Sequence, residues 1–305
     1  MRIWSLCWLG GWLVAGRAAA AGNPPAVPAA GRLVWAALTN APFPHPARAQ
    51  GHTYGGKEYS AAEHYQNNTV ALFVPPGFQP ADQVDFVVHF HGWHNQVTNV
   101  LAHYELPRQF TAGGRNAILV VPQGPFMAPD SFDGKLEEPN GFARFMDEVM
   151  ATLRERQVIP ASAGLGRIAL AGHSGGYAVI SSILAQGGLT GHIHEVWLYD
   201  ALYGRTPKFM TWFDHDPRAR LVNLYTDHGG TKEETEKLLA SRRAAGQPLW
   251  AGGEAALTPG VWRTNRLLFI HTPLEHDAVP AGHDAFARCL ESSELPGVGG
   301  GAPGR

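Results

Sequence analysis

Cysteine is nearly absent from this chain of 305 residues, which contains only Cys7 and Cys289. Cys7 falls within an apolar amino-terminal stretch that has the features of a secretory signal. Cys289 is then alone in the mature chain, which excludes an internal disulfide. Charge is sparse as well. Charged residues make up 16%, the formal net charge is −2, and no basic run occurs, so a nucleic-acid partner has no support. Long hydrophobic runs are also missing. The apolar stretch at residues 3–15 (IWSLCWLGGWLVA) is shorter than a membrane span and is closed by Arg17. No internal repeat and no second domain boundary can be read.

What is present begins with that leader. Arg2 precedes the apolar stretch, and Ala18-Ala19-Ala20 offers a small-residue cleavage site near Ala20 or Ala21. Residues 1–21 are therefore expected to be a signal peptide. Export to the periplasm or the extracellular space follows, with no stable membrane span once the signal is removed. Residues 22–50 are rich in Ala and Pro and are expected to be a poorly packed lead-in. An ordered domain is expected over 51–293 and a disordered tail over 294–305. Hydrophobic residues make up 45% of the chain, enough to bury a substantial core.

Within the domain, short apolar runs alternate with helical patterns. Strands are expected at 69–74, 84–90, 117–121, 168–171, 194–199, 220–225 and 267–270. Helices are expected at 97–106 (ended by Pro107), 140–158, from Tyr177, about 208–213, from a Thr231/Glu234 capping box to about Ala245, and about 284–291. Near-continuous apolar strands that alternate with helices indicate a mostly parallel sheet covered on both faces, an α/β class in a single domain.

The stretch at residues 168–179 (IALAGHSGGYAV) carries the chemistry. It reads as strand, sharp turn and helix, and Gly172-His173-Ser174-Gly175-Gly176 fits G-x-S-x-G. Glycines on both sides of Ser174 remove the Cβ atoms that would collide at such a turn. In an open parallel sheet, functional groups gather at the carboxyl ends of the strands. The polar residues found there are His91-Gly92, Ser174, Asp200, Asp227, and then His276 and His283 after the last strand. A serine hydroxyl needs a base, and the base needs an orienting acid.

The GHSGG elbow, the His-Gly turn after an early strand, and the chain order Ser, Asp, His resemble the α/β-hydrolase superfamily over roughly residues 65–292. The stretches HFHGWHN, VVPQG, DSFDGKL and LYDALYG resemble secreted bacterial esterases. The resemblance implies Ser174 as nucleophile, with an oxyanion hole made by the Gly175 N–H and an N–H at Gly92 or Trp93. It places the base after the last strand. His283, preceded by a glycine and followed by a helix, is preferred to His276. Asp200 is preferred to Asp227 as the acid, because a carboxylate in the apolar strand end VWLYDALYG is costly unless something uses it. The implied activity is a serine hydrolase acting on a small-molecule or polymer carboxylic ester, with no cofactor or metal. Ser131, Asp133, Lys135 and Glu137 are candidates for the cleft lining. Trp93, Tyr177, Tyr203 and Trp212 are candidates for pocket walls.

Two other readings compete. His89, His91 and His94 form H-x-H-x-x-H, similar to a dinuclear zinc hydrolase of the metallo-β-lactamase type. However, Trp93 stands where that motif has an aspartate. The other reading is a binding protein on a hydrolase scaffold, without catalysis.

Overall fold

The computed structural model describes residues 31–228 and 230–299. The proposed signal and residues 22–30 lie outside the described residues. Among the described residues eleven strands are formed: β1 (Arg32–Ala37), β2 (His52–Tyr54), β3 (Lys57–Tyr59), β4 (Thr69–Val74), β5 (Gln83–Phe90), β6 (Ala117–Pro122), β7 (Gly164–His173), β8 (Ile193–Tyr199), β9 (Arg220–Tyr225), β10 (Trp250–Gly253) and β11 (Leu267–His271). Nine of them build one sheet in the order β1-β4-β6-β5-β7-β8-β9-β11-β10. β4 is antiparallel to both β1 and β6, and every other pairing in this sheet is parallel. β2 and β3 form a separate hairpin.

Alternation along the strands feeds two apolar layers. On β5, Phe86, Val88 and Phe90 join the layer under the helices Gly141–Glu155, Tyr177–Gln186 and Thr206–His215. Val87 joins the opposite layer, with Val100, Phe110, Phe286 and Leu290 from the helices Val97–His103, Leu106–Ala112 and Ala285–Glu291. Among the described residues, no helix is long and apolar enough to cross a membrane.

Several boundaries differ from those expected. Residues 31–50 are part of the domain rather than a loose lead-in: β1 extends the sheet, and Leu38, Ala41 and Phe43 are buried. Their alanines and prolines masked a strand with only moderate burial. The tail is packed as far as it is described, since Leu295 is buried and the Asn116 N–H donates to the Pro296 carbonyl. The expected helix over 97–106 ends at His103, and Pro107 opens a second helix, Leu106–Ala112, instead of stopping the first. Proline suits a first helical turn because its missing N–H would have no intrahelical partner there. Thr231 does not cap its helix. Gly230 holds the cap position, and the Thr231 hydroxyl is turned to Asp200.

His89 follows Val87 onto the face packed by Tyr104 and Phe286, with ring centroids 6.2 and 5.9 Å away. Both of its ring nitrogens are buried without a hydrogen-bond partner among the described residues. Burial, then the neighbouring His173 and His91, lower its pKa to about 3. The unfolded chain takes up this proton near the ordinary value of about 6.5, so the unfolded state binds more protons between that value and about 3. Stability from a neutral His89 is therefore complete above about pH 6.5 and is lost as the pH falls. The His89→Leu variant is expected to gain about 3 kcal/mol relative to the parent between pH 7 and pH 4.5. Urea unfolding of both proteins at the two pH values measures this. An unchanged difference would mean that His89 is not held neutral.

Candidate active site

β7 ends at His173, and three residues separate it from the helix Tyr177–Gln186. Between them Ser174 adopts φ 52°, in the left-handed region. A side chain held there costs on the order of 1 kcal/mol or more and persists only because its surroundings over-determine it. The elbow is possible because of close approaches on both sides. A Cβ on Gly176 would lie 2.7 Å from the Phe90 carbonyl oxygen, and one on Gly92 would lie 2.5 Å from the Ser174 Cβ. Gly92 is thus seated directly against the half-buried serine.

Asp200 follows β8, has φ 45°, and is fully buried. Its Oδ1 accepts from the Thr226 N–H at 3.1 Å and from the Thr231 hydroxyl. Its Oδ2 accepts from the Thr226 hydroxyl at 2.8 Å and from His276 Nδ1 at 2.6 Å. Burial alone would raise the carboxyl pKa. The hydrogen bonds from His276, Thr231 and Thr226 outweigh it and hold the group below the usual carboxylate range. With Nδ1 donating to Asp200, neutral His276 keeps its lone pair on Nε2, the tautomer a general base requires.

The ring of His276 lies 4.5 Å from that of His173, the residue preceding Ser174. It lies 6.3 Å from the ring of Tyr203, whose hydroxyl approaches that of Ser174. His173 is buried, and burial followed by the charge of His276 lowers its pKa to about 4. A neutral imidazole has one N–H. Nε2 faces the His276 carbonyl at 3.0 Å and must donate to it, so Nδ1 accepts from the Tyr104 hydroxyl at 2.9 Å. This buried chain ties the His276 backbone to the elbow.

His91 plays a comparable part on the other side. The Gly124 N–H donates to its Nε2 at 3.1 Å, so Nδ1 carries the proton and donates to the Gly92 carbonyl at 2.8 Å. In a trans peptide the carbonyl and the next N–H point in opposite directions. Holding the Gly92 carbonyl therefore turns the Trp93 N–H away from His91. That N–H has no protein acceptor among the described residues. The Trp93 indole donates to Ser131 Oγ at 2.7 Å.

The expected residues separate into those the fold brings together and those it does not. Ser174, Gly175, Gly92, Trp93, Asp200 and His276 meet at the carboxyl ends of β5, β7 and β8. His283, preferred as base from its sequence context, is elsewhere. Its Nδ1 pairs with Glu254 at 2.8 Å beyond the end of β10, and its side chain is more than half exposed. His276, the alternative, is the histidine joined to Asp200, because it lies nearer the end of β11, where the loop turns back over that residue. Asp227 is on the surface, paired with Lys232 at 2.7 Å and His271 at 3.0 Å.

The three histidines of the zinc reading do not converge. β5 ends at Phe90, His89 is buried in the core, His91 bonds to Gly92, Gln123 and Gly124, and His94 is exposed. Of the proposed cleft residues, Ser131 reaches the site. The Lys135 ammonium donates to the Thr39 carbonyl, and Glu137 accepts from Ser182 and from the Asp133 N–H. Burial, then Glu137 and Asp130, raise the Asp133 carboxyl pKa well above its usual range. Of the proposed walls, Trp212 is buried in its helix, bonded to the Ile193 carbonyl. Tyr177 packs 5.7 Å from Tyr203. Sequence reasoning missed Thr226, Thr231 and Tyr104. Thr231 reads locally as an ordinary helix cap, so no sequence signal pointed to its bond with Asp200.

No protein-family model and no curated protein matches the chain. Solved structures do. The chain is similar to a ferulic acid esterase at 13% identity and TM-score 0.52, over 86% of this chain and 97% of that one. It is also similar to the feruloyl esterase module from Clostridium thermocellum, solved with sinapinate, at 11% identity and TM-score 0.50, over 88% of this chain and 90% of that one. At these identities the likeness concerns the fold.

Proposed function

We propose that this chain, which has the α/β-hydrolase fold, hydrolyses carboxylic esters through Ser174, His276 and Asp200. The observation that carries the reading is the fully buried Asp200 held 2.6 Å from His276 Nδ1, beside a serine in the strained elbow conformation. Neutral His276 takes the Ser174 proton at Nε2 as Oγ attacks the ester carbonyl. The tetrahedral oxyanion is met by the N–H groups of Gly175 and Trp93, the second of them set by His91. Collapse expels the alcohol, which receives its proton from His276. Water then attacks the acyl-enzyme by the same route, and Ser174 is regenerated. Each proton moves between Ser174, His276, alcohol and water, so the sequence balances without a metal or a cofactor. The proposal includes export, which rests on residues 1–21.

Fluorophosphonate labelling tests the reading. A single adduct is expected, mapped by mass spectrometry to the peptide that carries Ser174, and absent from the Ser174→Ala protein. Folded protein that takes no label would overturn the triad and revive a non-catalytic binding role.

A further inference from the structure

Large apolar side chains on a soluble surface carry information when they cluster. Among the described residues, four are exposed: Tyr54, Trp93, Met127 and Val298. The first three belong to segments that meet beside Ser174. A Cβ placed on Gly175 would lie 2.9 Å from Trp93 Cδ1, so the indole rests on the residue next to the nucleophile. The indole is fixed there by its hydrogen bond to Ser131. Met127 is brought in by paired segments, since its N–H donates to the Asn95 carbonyl and the His94 N–H donates to the Ala128 carbonyl.

Tyr54 arrives from the hairpin of β2 and β3, which is not part of the main sheet. The hairpin is anchored at its far end by Tyr59, which is buried and lies 5.2 Å from the His64 ring. At its tip Gly55 and Gly56 both have positive φ, a tight turn that most side chains would strain. The tip sets the Tyr54 ring edge-to-face with Trp93, at 5.0 Å and 72°. Trp93 is 40% and Tyr54 48% exposed, so both rings still offer surface to solvent.

Building on the esterase reading above, we propose that Trp93 and Tyr54 form a binding platform for an aromatic ring carried by the ester substrate. The indole rests on Gly175, the residue next to Ser174, so a ring on the half of an ester that extends to that side of Ser174 would meet it. A flat aromatic group laid there can meet the pair in the offset or edge-to-face geometry the two rings already adopt. A saturated ring of the same size has no such quadrupole. The ring belongs to either the acyl or the alcohol half, and the substrates distinguish the two.

The test compares kcat/KM for two matched pairs of esters: ethyl 3-phenylpropanoate against ethyl 3-cyclohexylpropanoate, and benzyl acetate against cyclohexylmethyl acetate. The wild type is expected to prefer the aromatic member of one pair by about threefold to tenfold. In Tyr54→Ala that ratio is expected to fall to about twofold or less, and in Tyr54→Phe, which keeps the ring, to persist. Fluorophosphonate labelling of each variant reports the triad independently. Labelled, active protein with no aromatic preference in either pair, or with a preference that Tyr54→Ala leaves unchanged, overturns the platform and leaves the esterase reading standing. Protein that neither labels nor hydrolyses any of the four esters overturns both.

Discussion

Replacing His276 with alanine is expected to lower kcat/KM by roughly 10⁵-fold, the scale on which a triad base acts. Replacing His283 with alanine is expected to leave it within about twofold, as for a surface change. The two histidines share one loop region and one residue type, so the pair of variants isolates position. His276 Nδ1 lies 2.6 Å from a carboxylate with no exposed surface. His283 lies 2.8 Å from Glu254, and its ring is largely in solvent. Alanine at 276 removes the one histidine that, among the described residues, is bonded to Asp200, and leaves that carboxylate buried without its His276 donor. Steady-state hydrolysis of a simple ester, with folding checked by circular dichroism, measures both effects. A large loss in His283→Ala with a small one in His276→Ala would reverse the assignment.

Asp200→Asn is expected to cost roughly 10⁴-fold in kcat, with KM little changed. The amide keeps the size of the carboxylate but can present an N–H where His276 Nδ1 now donates. The imidazole then favours the opposite tautomer, with the proton on Nε2, and cannot accept one from Ser174. The charge that would stabilise the imidazolium is lost as well. Asp227→Asn serves as the control and is expected to stay within about twofold, because Asp227 is paired on the surface with Lys232 and His271. A pH–rate profile separates mechanism from damage. Loss of orientation lowers the plateau, whereas a merely loosened fold would also change the urea midpoint. Comparable activity in Asp200→Asn and the parent would exclude Asp200 as the acid.

Much of the architecture was legible because it depends on short-range chemistry. Apolar runs in β4, β5, β6, β7, β8, β9 and β11, separated by turn residues, specify buried strands, all of them parallel to a neighbour except β4. The GHSGG turn specifies its own strain, since the flanking glycines allow the approaches that a Cβ would block. β1, the β2–β3 hairpin and β10 were not legible. β2, β3 and β10 are three or four residues long, and β1, although its residues 33–37 are apolar, follows an Ala/Pro-rich stretch and is only partly buried.

Among the chemical residues, the sequence by itself determined the inventory and its order: Ser174, then Asp200 and Asp227, then His276 and His283. Tertiary structure decided which of them meet. β8 lies next to β7 in the sheet, so Asp200 ends beside the elbow, and the loop after β11 returns over it with His276. Thr231 illustrates the same division. Locally it resembles a helix cap, but its hydroxyl satisfies a buried carboxylate 31 residues away in the chain. An unpaired charge in that interior would cost more than a missing cap stabilises. Local patterns fix backbone conformation, whereas partners for buried polar groups are chosen across the sheet, where sequence distance carries no information.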